Sequence, residues 1–177
     1  MALTFDMGGR LDPAIDIMNF LIANEVCATL FPTGAMTETP TGQEVLAIVR
    51  DHPELFEVGN HTMHHCNLRD GGLGSPTEAP CQTGGPPDRG FILSELTDAA
   101  AIIASGSGQD SAPYWRPIAE GGPTAEQMAT DVVTSASSGS IVLMHLGGYE
   151  TLAALAIMVP ALRERGLLLT SVSDLLN

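Results

Sequence analysis

Three histidines within five residues are the strongest chemical signal in the sequence, in the segment His61-Thr62-Met63-His64-His65. Histidines four positions apart lie on one face of a helical turn, so His61 and His65 could hold one metal ion between their imidazoles. His64 offers a further ring nitrogen. A lone histidine would more often be structural, but three of them directly after the strand-ending Gly59 favour a divalent-metal site.

A catalytic metal usually keeps three protein ligands and one open position, so a carboxylate is the expected third ligand. Asp6 and Asp12, at and shortly after the end of the first apolar run, are the candidates. Asp6 could instead be a general base that takes a proton from a water. Without a metal, Asp6 would form a turn before Gly8 and Gly9, and Asp12 would cap a helix.

Further candidate residues lie in the second half of the chain. His145 follows four apolar residues and could act as a general acid, or it could be a core histidine bonded to the backbone. Arg116 could pair with Asp6 and lower the pKa of that carboxyl, or it could form a surface ion pair. Tyr114 and Trp115 could stack on a sugar ring, or they could belong to the core or its rim.

The elements that must position these residues alternate between strand-like and helix-like segments along the whole chain. This alternation predicts a parallel sheet or barrel with helices outside, and such folds carry their chemistry at the carboxyl ends of the strands. Asp6, His61 and His145 fall at such ends. The predicted strands are Ala2–Phe5, Val26–Phe31, Leu55–Val58, Ile141–Met144 and Leu167–Thr170.

Helix starts are predicted from their caps. Asp12 would cap a helix with Pro13 at its first position, and Thr41-x-x-Glu44 and Thr124-x-x-Gln127 read as capping boxes. Two further helices are predicted over 91–104 and 149–165. Residues 67–90 are rich in glycine and proline and predict a long irregular loop.

Length and composition indicate one domain over residues 1–177. The net charge of −14, with seven arginines and no lysine, argues against nucleic acid as a partner. It leaves open either attraction to a cationic polymer or an ordinary acidic surface. No apolar stretch predicts a membrane span, and we expect that any export signal is removed or was never present.

Together these residues resemble the polysaccharide deacetylases, carbohydrate esterase family four (CE4). The family's opening Thr-Phe-Asp-Asp-Gly motif reads Thr4-Phe5-Asp6-Met7-Gly8 in this chain, and its second motif, His-Ser/Thr-x-x-His, matches residues 61–65. Trp115-Arg116-Pro117 is similar to the family's Arg-x-Pro motif but lacks the spacer. Leu143-Met144-His145 matches the last motif, Leu-x-His.

The resemblance implies a distorted or incomplete (β/α) barrel and a metal-dependent hydrolase. Its substrate would be an N-acetylglucosamine-containing polysaccharide, such as chitin oligomers or peptidoglycan, from which it removes N-acetyl groups. The family's ion is zinc-like, with cobalt or another transition metal as alternatives. Most members act on extracellular polymers, which favours an extracellular or cell-wall location over a cytoplasmic one. This also favours a Cys66–Cys81 disulfide over two unpaired thiols.

Carried over by position, the family's roles fall on residues already singled out. Asp6 is the base, Arg116 holds it, and His145 is the acid that protonates the leaving amine. His61 and His65 are metal ligands. The acetyl methyl group would lie against Leu143, with Tyr114 and Trp115 as further substrate-binding residues.

Two departures from the family pattern affect the prediction. Met7 stands where the family has its metal-binding Asp, and a thioether is a poor ligand for a hard or borderline ion. We therefore expect Asp12 as the third ligand, with His64 as the alternative. The segment after Arg116 is short and lacks the family's Asp-x-x-x-Trp motif. A catalytically impaired carbohydrate-binding relative, or a same-fold hydrolase of another amide or ester such as acetylated xylan, is the alternative function.

Overall fold

The computed structural model describes residues 1–72, 81, 85–116 and 124–177. In these residues four parallel strands form one sheet in the order β3-β2-β1-β4. The strands are β1 (Ala2–Met7), β2 (Ala28–Pro32), β3 (Phe56–Val58) and β4 (Ile141–His145).

Helices occupy the connections between these strands, so the predicted α/β alternation is confirmed. They are α1 (Ala14–Ala23), α2 (Gly34–Thr37), α3 (Pro40–Asp51), α4 (Arg89–Ser107), α5 (Ala125–Ser135), α6 (Thr151–Glu164) and α7 (Val172–Leu176). The predicted capping box at the start of α5 is present, with Thr124 and Gln127 each bonding the other's backbone. None of the helices in the described ranges is long and apolar enough to cross a membrane.

The strand register separates two kinds of side chain on β1. Side chains alternate between the two faces of a strand, so Leu3, Phe5 and Met7 share one face and Thr4 and Asp6 share the other. The first three belong to the hydrophobic core, together with apolar residues of α1, α3 and α6. The second face is the inner face of the barrel, and it carries the polar residues of interest.

The barrel is not closed over the described residues, which fits the incomplete type. Residues 112–116 extend the sheet beyond β3, where the N–H of Ala112 donates to the carbonyl of Val58. At the opposite side, β4 is the edge strand of the described sheet and pairs only with β1 there. Two inner-face residues of β4 are consequently exposed, Ile141 by 48% and Leu143 by 41%, although its apolar sequence predicted burial. Residues 117–123, including the Pro117 of the third motif, lie outside the described residues.

Three local predictions are corrected. α3 is capped by Thr39 with Pro40 at its first position, so the predicted box at Thr41 lies inside the helix. Proline with its fixed φ and missing N–H determines this start. Pro13 occupies the N-cap position of α1, and no side-chain cap is present there, so Asp12 does not cap α1. The predicted last strand is reduced to a single parallel bridge between Ala2 and Thr170.

Cys66 and Cys81 form a disulfide, with their Cα atoms 5.5 Å apart, so the predicted pairing is confirmed. Cys27 is a free, partly buried thiol. The predicted loop over 67–90 ends where α4 begins at Arg89, and its parts 73–80 and 82–84 lie outside the described residues.

We predict that replacing both cysteines, Cys66→Ala with Cys81→Ala, lowers the free energy of unfolding by about 3 kcal/mol. The bridge closes a loop with a sequence separation of 15, and its loss returns that loop's conformational entropy to the unfolded chain. Urea unfolding measures the effect, and Cys27→Ala is the control. An unchanged free energy of unfolding in the double variant would contradict the prediction.

Candidate active site

Asp6 lies at the end of β1 on the inner face of the barrel and is 1% exposed. Arg116 holds it: Nη1 donates to Asp6 Oδ1 at 2.8 Å, and Nη2 donates to Thr4 Oγ1 at 2.7 Å. The guanidinium carbon lies 4.3 Å from the centre of the Phe31 ring. The predicted pairing of Asp6 with Arg116 is therefore present, and its geometry fixes the rotamer of the carboxylate.

Arg116 acts on the pKa of Asp6 in the predicted direction, but burial has the larger effect and the net pKa is raised. Burial raises the pKa to about 7, and the charge and hydrogen bond of Arg116 oppose this shift without overcoming it. Among the described residues, Oδ2 of Asp6 has no hydrogen-bond partner, although it lies 3.6 Å from His61 Nε2. A carboxyl with this pKa can exchange a proton near neutral pH.

His61 is presented to the site in one tautomer. Its Nδ1 lies 2.7 Å from the carbonyl oxygen of Arg116, which can only accept, so Nδ1 carries the proton and Nε2 faces Asp6 with a lone pair. The ring is 1% exposed, and burial lowers its pKa to about 3. A neutral imidazole with its second nitrogen bonded to a carbonyl is the usual state of a metal-ligating histidine.

His65 lies beside His61, with ring centres 4.5 Å apart and an angle of 69° between the ring planes. Gly8 makes this approach possible, because a Cβ at that position would lie 2.8 Å from Nε2 of His65 and 3.2 Å from Cδ2 of His61. The glycine of the first motif is thus required by the histidines of the second motif. The sequence identified Gly8 only as a residue of the turn after Asp6 and as the last residue of the first motif.

Two imidazoles fit a borderline divalent ion as a two-donor site, but the third ligand is not where the sequence predicted it. After the turn at Gly8, Leu11 packs into the core and the next residue, Asp12, is exposed to solvent. Met7, 1% exposed, lies in the core on the opposite face from Asp6. Over the described ranges, no three His, Cys, Asp or Glu side chains form a group that could hold a metal ion.

His145 is the register partner of Asp6 on the neighbouring β4, so the two side chains share the inner face of the sheet. Burial, with a smaller effect of Arg116, lowers the pKa of His145. His145 and Leu143 line a cavity of about 530 Å³, together with Tyr149 and Arg10. Sequence reasoning missed Tyr149, whose signal is its place directly after the glycine pair that follows the motif histidine.

The predicted aromatic residues Tyr114 and Trp115 do not line that cavity. Trp115 forms a bridge with Asn60 beyond the end of β3 and is 49% exposed, and Tyr114 is partly buried. Both directly precede Arg116 in the chain, and the cavity beside His145 is lined by other residues. Their role in substrate binding stays a prediction.

We predict opposite pH dependences of stability for two variants of the metal-free protein. At about pH 5 the unfolded chain carries one proton on His61 and none on Asp6, whereas the fold carries one on Asp6 and none on His61, so the pair binds equal numbers of protons. In Asp6→Asn the raised pKa of Asp6 is lost, so stability relative to wild type falls as pH drops from about 7 to about 4. In His61→Gln the lowered pKa of His61 is lost, so stability relative to wild type falls as pH rises from about 3 to about 6.5.

Urea unfolding in EDTA between about pH 4 and 8 measures both slopes. Slopes of the same sign in the two variants, each relative to wild type, would contradict this account of the pair.

The chain is similar in sequence to known proteins. The family model described as polysaccharide deacetylase matches residues 1–130. The peptidoglycan-N-acetylglucosamine deacetylase of Bacillus cereus is 28% identical, covering 100% of this chain and 88% of that protein. The chitooligosaccharide deacetylase of Rhizobium leguminosarum bv. phaseoli is 27% identical, covering 93% of this chain and 82% of that protein.

Solved structures of low identity share the fold. A family 4 acetyl xylan esterase from Clostridium thermocellum, in complex with a cobalt ion, has a TM-score of 0.75 at 24% identity, covering 98% of this chain and 88% of that one. A CE4 family pseudoenzyme from Bacillus anthracis has a TM-score of 0.76 at 20% identity, covering 100% of this chain and 65% of that one. A mutant of that pseudoenzyme with restored enzymatic activity gives the same TM-score, 0.76, at 21% identity, covering 100% of this chain and 67% of that one. With a family model matching most of its length, the chain belongs to the polysaccharide deacetylase family.

Proposed function

We propose that the protein is a divalent-metal-dependent hydrolase that removes N-acetyl groups from N-acetylglucosamine-containing polysaccharide. The observation that carries this proposal is the group formed by the buried Asp6 and His61 with the partly buried Arg116 and His65 at the carboxyl ends of parallel strands, beside His145. Family membership supports the hydrolase class, and two relatives named for peptidoglycan and chitooligosaccharide support the substrate class.

The proposed reaction assigns one task to each side chain. A zinc or cobalt ion held by His61 and His65 would polarise the acetamide carbonyl. Asp6, with a pKa near neutrality, would take a proton from the attacking water while Arg116 keeps its carboxylate in place. His145 would pass a proton to the nitrogen of the leaving amine as the carbon–nitrogen bond breaks.

The lowered pKa of His145 disfavours this last proton transfer. Less of the imidazole is protonated at neutral pH than in a solvent-exposed histidine. The sequence also lacks the family's Asp-x-x-x-Trp motif, whose Asp would adjust the pKa of this histidine. We therefore expect slow turnover. The acetyl group would lie against Leu143 in the cavity beside His145.

An extracellular or cell-wall location is part of the proposal. It is supported by the Cys66–Cys81 disulfide, since such bonds persist in oxidising compartments and are rare in reducing ones. A polymer of N-acetylglucosamine is found in the same compartments.

We predict that the protein with added Co²⁺ or Zn²⁺ releases acetate from chitin oligomers or peptidoglycan. His145→Ala should slow this release by about 10²–10⁴-fold, the usual contribution of a general acid. A coupled acetate assay measures the rates, with His52→Ala as the control histidine outside the site and acetylated xylan as the competing substrate. Absence of acetate release from every polymer, or equal rates for wild type and His145→Ala, would contradict the proposal.

A catalytically impaired, carbohydrate-binding relative is the second candidate. The observation in its favour is Met7, which is buried in the core and leaves the two histidines without a carboxylate ligand from the first motif. The structural likeness to a CE4 family pseudoenzyme is compatible with this candidate.

We predict that Met7→Asp raises the affinity for Co²⁺ by about 10-fold or more, because a carboxylate is costly in the core and favours a rearrangement of the end of β1 that offers it to His61 and His65 as a further ligand. Isothermal titration calorimetry measures the affinity, and Met7→Asn is the control that changes the core without adding charge. If acetate release rises with affinity, the impaired candidate is supported. Unchanged affinity in Met7→Asp would contradict the importance given to this position.

A further inference from the structure

The turn that carries the histidines has a strained backbone. Thr62 and His65 have φ angles of 72° and 60°, in the left-handed region that L-residues other than glycine rarely adopt. A β-branched residue such as Thr62 is especially unfavourable there, and strain of this kind persists only where surrounding structure enforces it. Something outside the turn must therefore hold it in the shape that brings the two imidazoles together.

Glu95 of α4 is the side chain that holds the turn from outside. It is 2% exposed, and it uses both carboxylate oxygens on one residue of the turn. Oε2 accepts the backbone N–H of His64 at 2.9 Å, and Oε1 lies 2.6 Å from Nδ1 of the same histidine. A buried carboxylate is costly unless it is fully bonded, so this arrangement ties the fold of α4 to the position of residue 64.

The helix position next to Glu95 contacts the same turn from its other end. Asn60 donates through Nδ2 to the carbonyl of Leu96 at 2.9 Å, and its Oδ1 accepts the N–H of Thr62 at 2.8 Å. Thr62 in turn accepts the N–H of His65 through Oγ1 at 3.0 Å. A short chain of hydrogen bonds thus runs from α4 to both strained residues.

The sequence pattern of α4 sets Glu95 apart from the other acidic residues. The buried residues of the helix are Glu95, Ala99, Ile103 and Ser107, at intervals of four. Glu95 is the acidic residue within this buried stripe, whereas Asp98 on the same helix is exposed. A carboxylate in a helix's buried stripe is a signal that sequence reasoning could have used.

We propose that Glu95 is a positioning residue of the metal site. It fixes the strained turn over residues 61–65 so that His61 and His65 converge, and His64 serves as its anchor rather than as a metal ligand. The inference deepens the proposed function, because it assumes that the two histidines bind a metal. It assigns no chemistry to Glu95, which acts only through the turn.

The competing role for His64, that of third ligand, makes a different prediction. If His64 bound the metal directly, His64→Ala would remove affinity more strongly than any change at Glu95. If Glu95 positions the turn, Glu95→Ala removes both hydrogen bonds and His64→Ala leaves the bond from the backbone N–H in place. Glu95→Ala should then weaken Co²⁺ binding by about 10-fold or more, and His64→Ala by less.

The experiment compares wild type, Glu95→Ala, Glu95→Gln, His64→Ala and the control Asp98→Asn. Co²⁺ affinity is measured by calorimetry and by the visible absorption of bound cobalt, and the ring signals of His61 and His65 are recorded by NMR in the metal-free proteins. We expect Glu95→Ala to shift both ring signals and weaken binding. Glu95→Gln, which keeps an acceptor, should restore part of the affinity, and Asp98→Asn should match wild type.

Four outcomes are informative. Wild-type affinity and unmoved ring signals in Glu95→Ala overturn the inference, as does a greater loss in His64→Ala than in Glu95→Ala. If Glu95→Ala does not fold, Glu95→Gln carries the test through the same two readouts. If wild type binds no cobalt, the metal part of the proposed function fails, and the ring signals alone then decide whether Glu95 positions the histidines.

Discussion

The site depends on Arg116, which forms hydrogen bonds through its guanidinium, its carbonyl and its backbone N–H. Its guanidinium holds the buried carboxylate of Asp6 and the hydroxyl of Thr4, and its face covers Phe31. Its carbonyl accepts a hydrogen bond from the Nδ1–H of His61, and its backbone N–H donates to the carbonyl of Asn60. One residue therefore joins the end of β1, the end of β2 and the segment that follows β3. The tautomer of His61 and the orientation of Asp6 are both consequences of where this residue lies.

This arrangement explains why burial decides the electrostatics of the site. A single guanidinium adjacent to Asp6 does not offset the loss of water around the carboxylate, so its pKa is raised rather than lowered. The same burial keeps His61 neutral, which suits a metal ligand. The inner face of the barrel thus provides a carboxyl that can exchange a proton and an imidazole that can donate a lone pair, within 3.6 Å of each other.

The positions of Asp6, His61 and His145 could be predicted from the sequence, because each follows an apolar run that marks the end of a strand. This holds whether or not the barrel is closed. The disulfide followed from the resemblance to the family, which also favoured the pairing of Arg116 with Asp6 over a surface ion pair. The third ligand did not, since local sequence cannot show that Leu11 rather than Asp12 returns to the sheet. The exposure of β4 likewise reflects its place at the edge of the sheet formed by the described residues, which an apolar strand sequence does not reveal. Gly8 and Glu95 act through contacts distant in sequence, and their spacing alone does not identify those contacts.

The central claim is that His61 and His65 form a metal site next to Asp6. Anomalous diffraction from crystals grown with Co²⁺ tests it most directly. The account predicts one ion within coordination distance of both imidazoles, with Asp6 beside it and the remaining positions filled by water. Crystals that contain the protein and no ion between these two rings at saturating cobalt, or an ion bound elsewhere in the molecule, would contradict it.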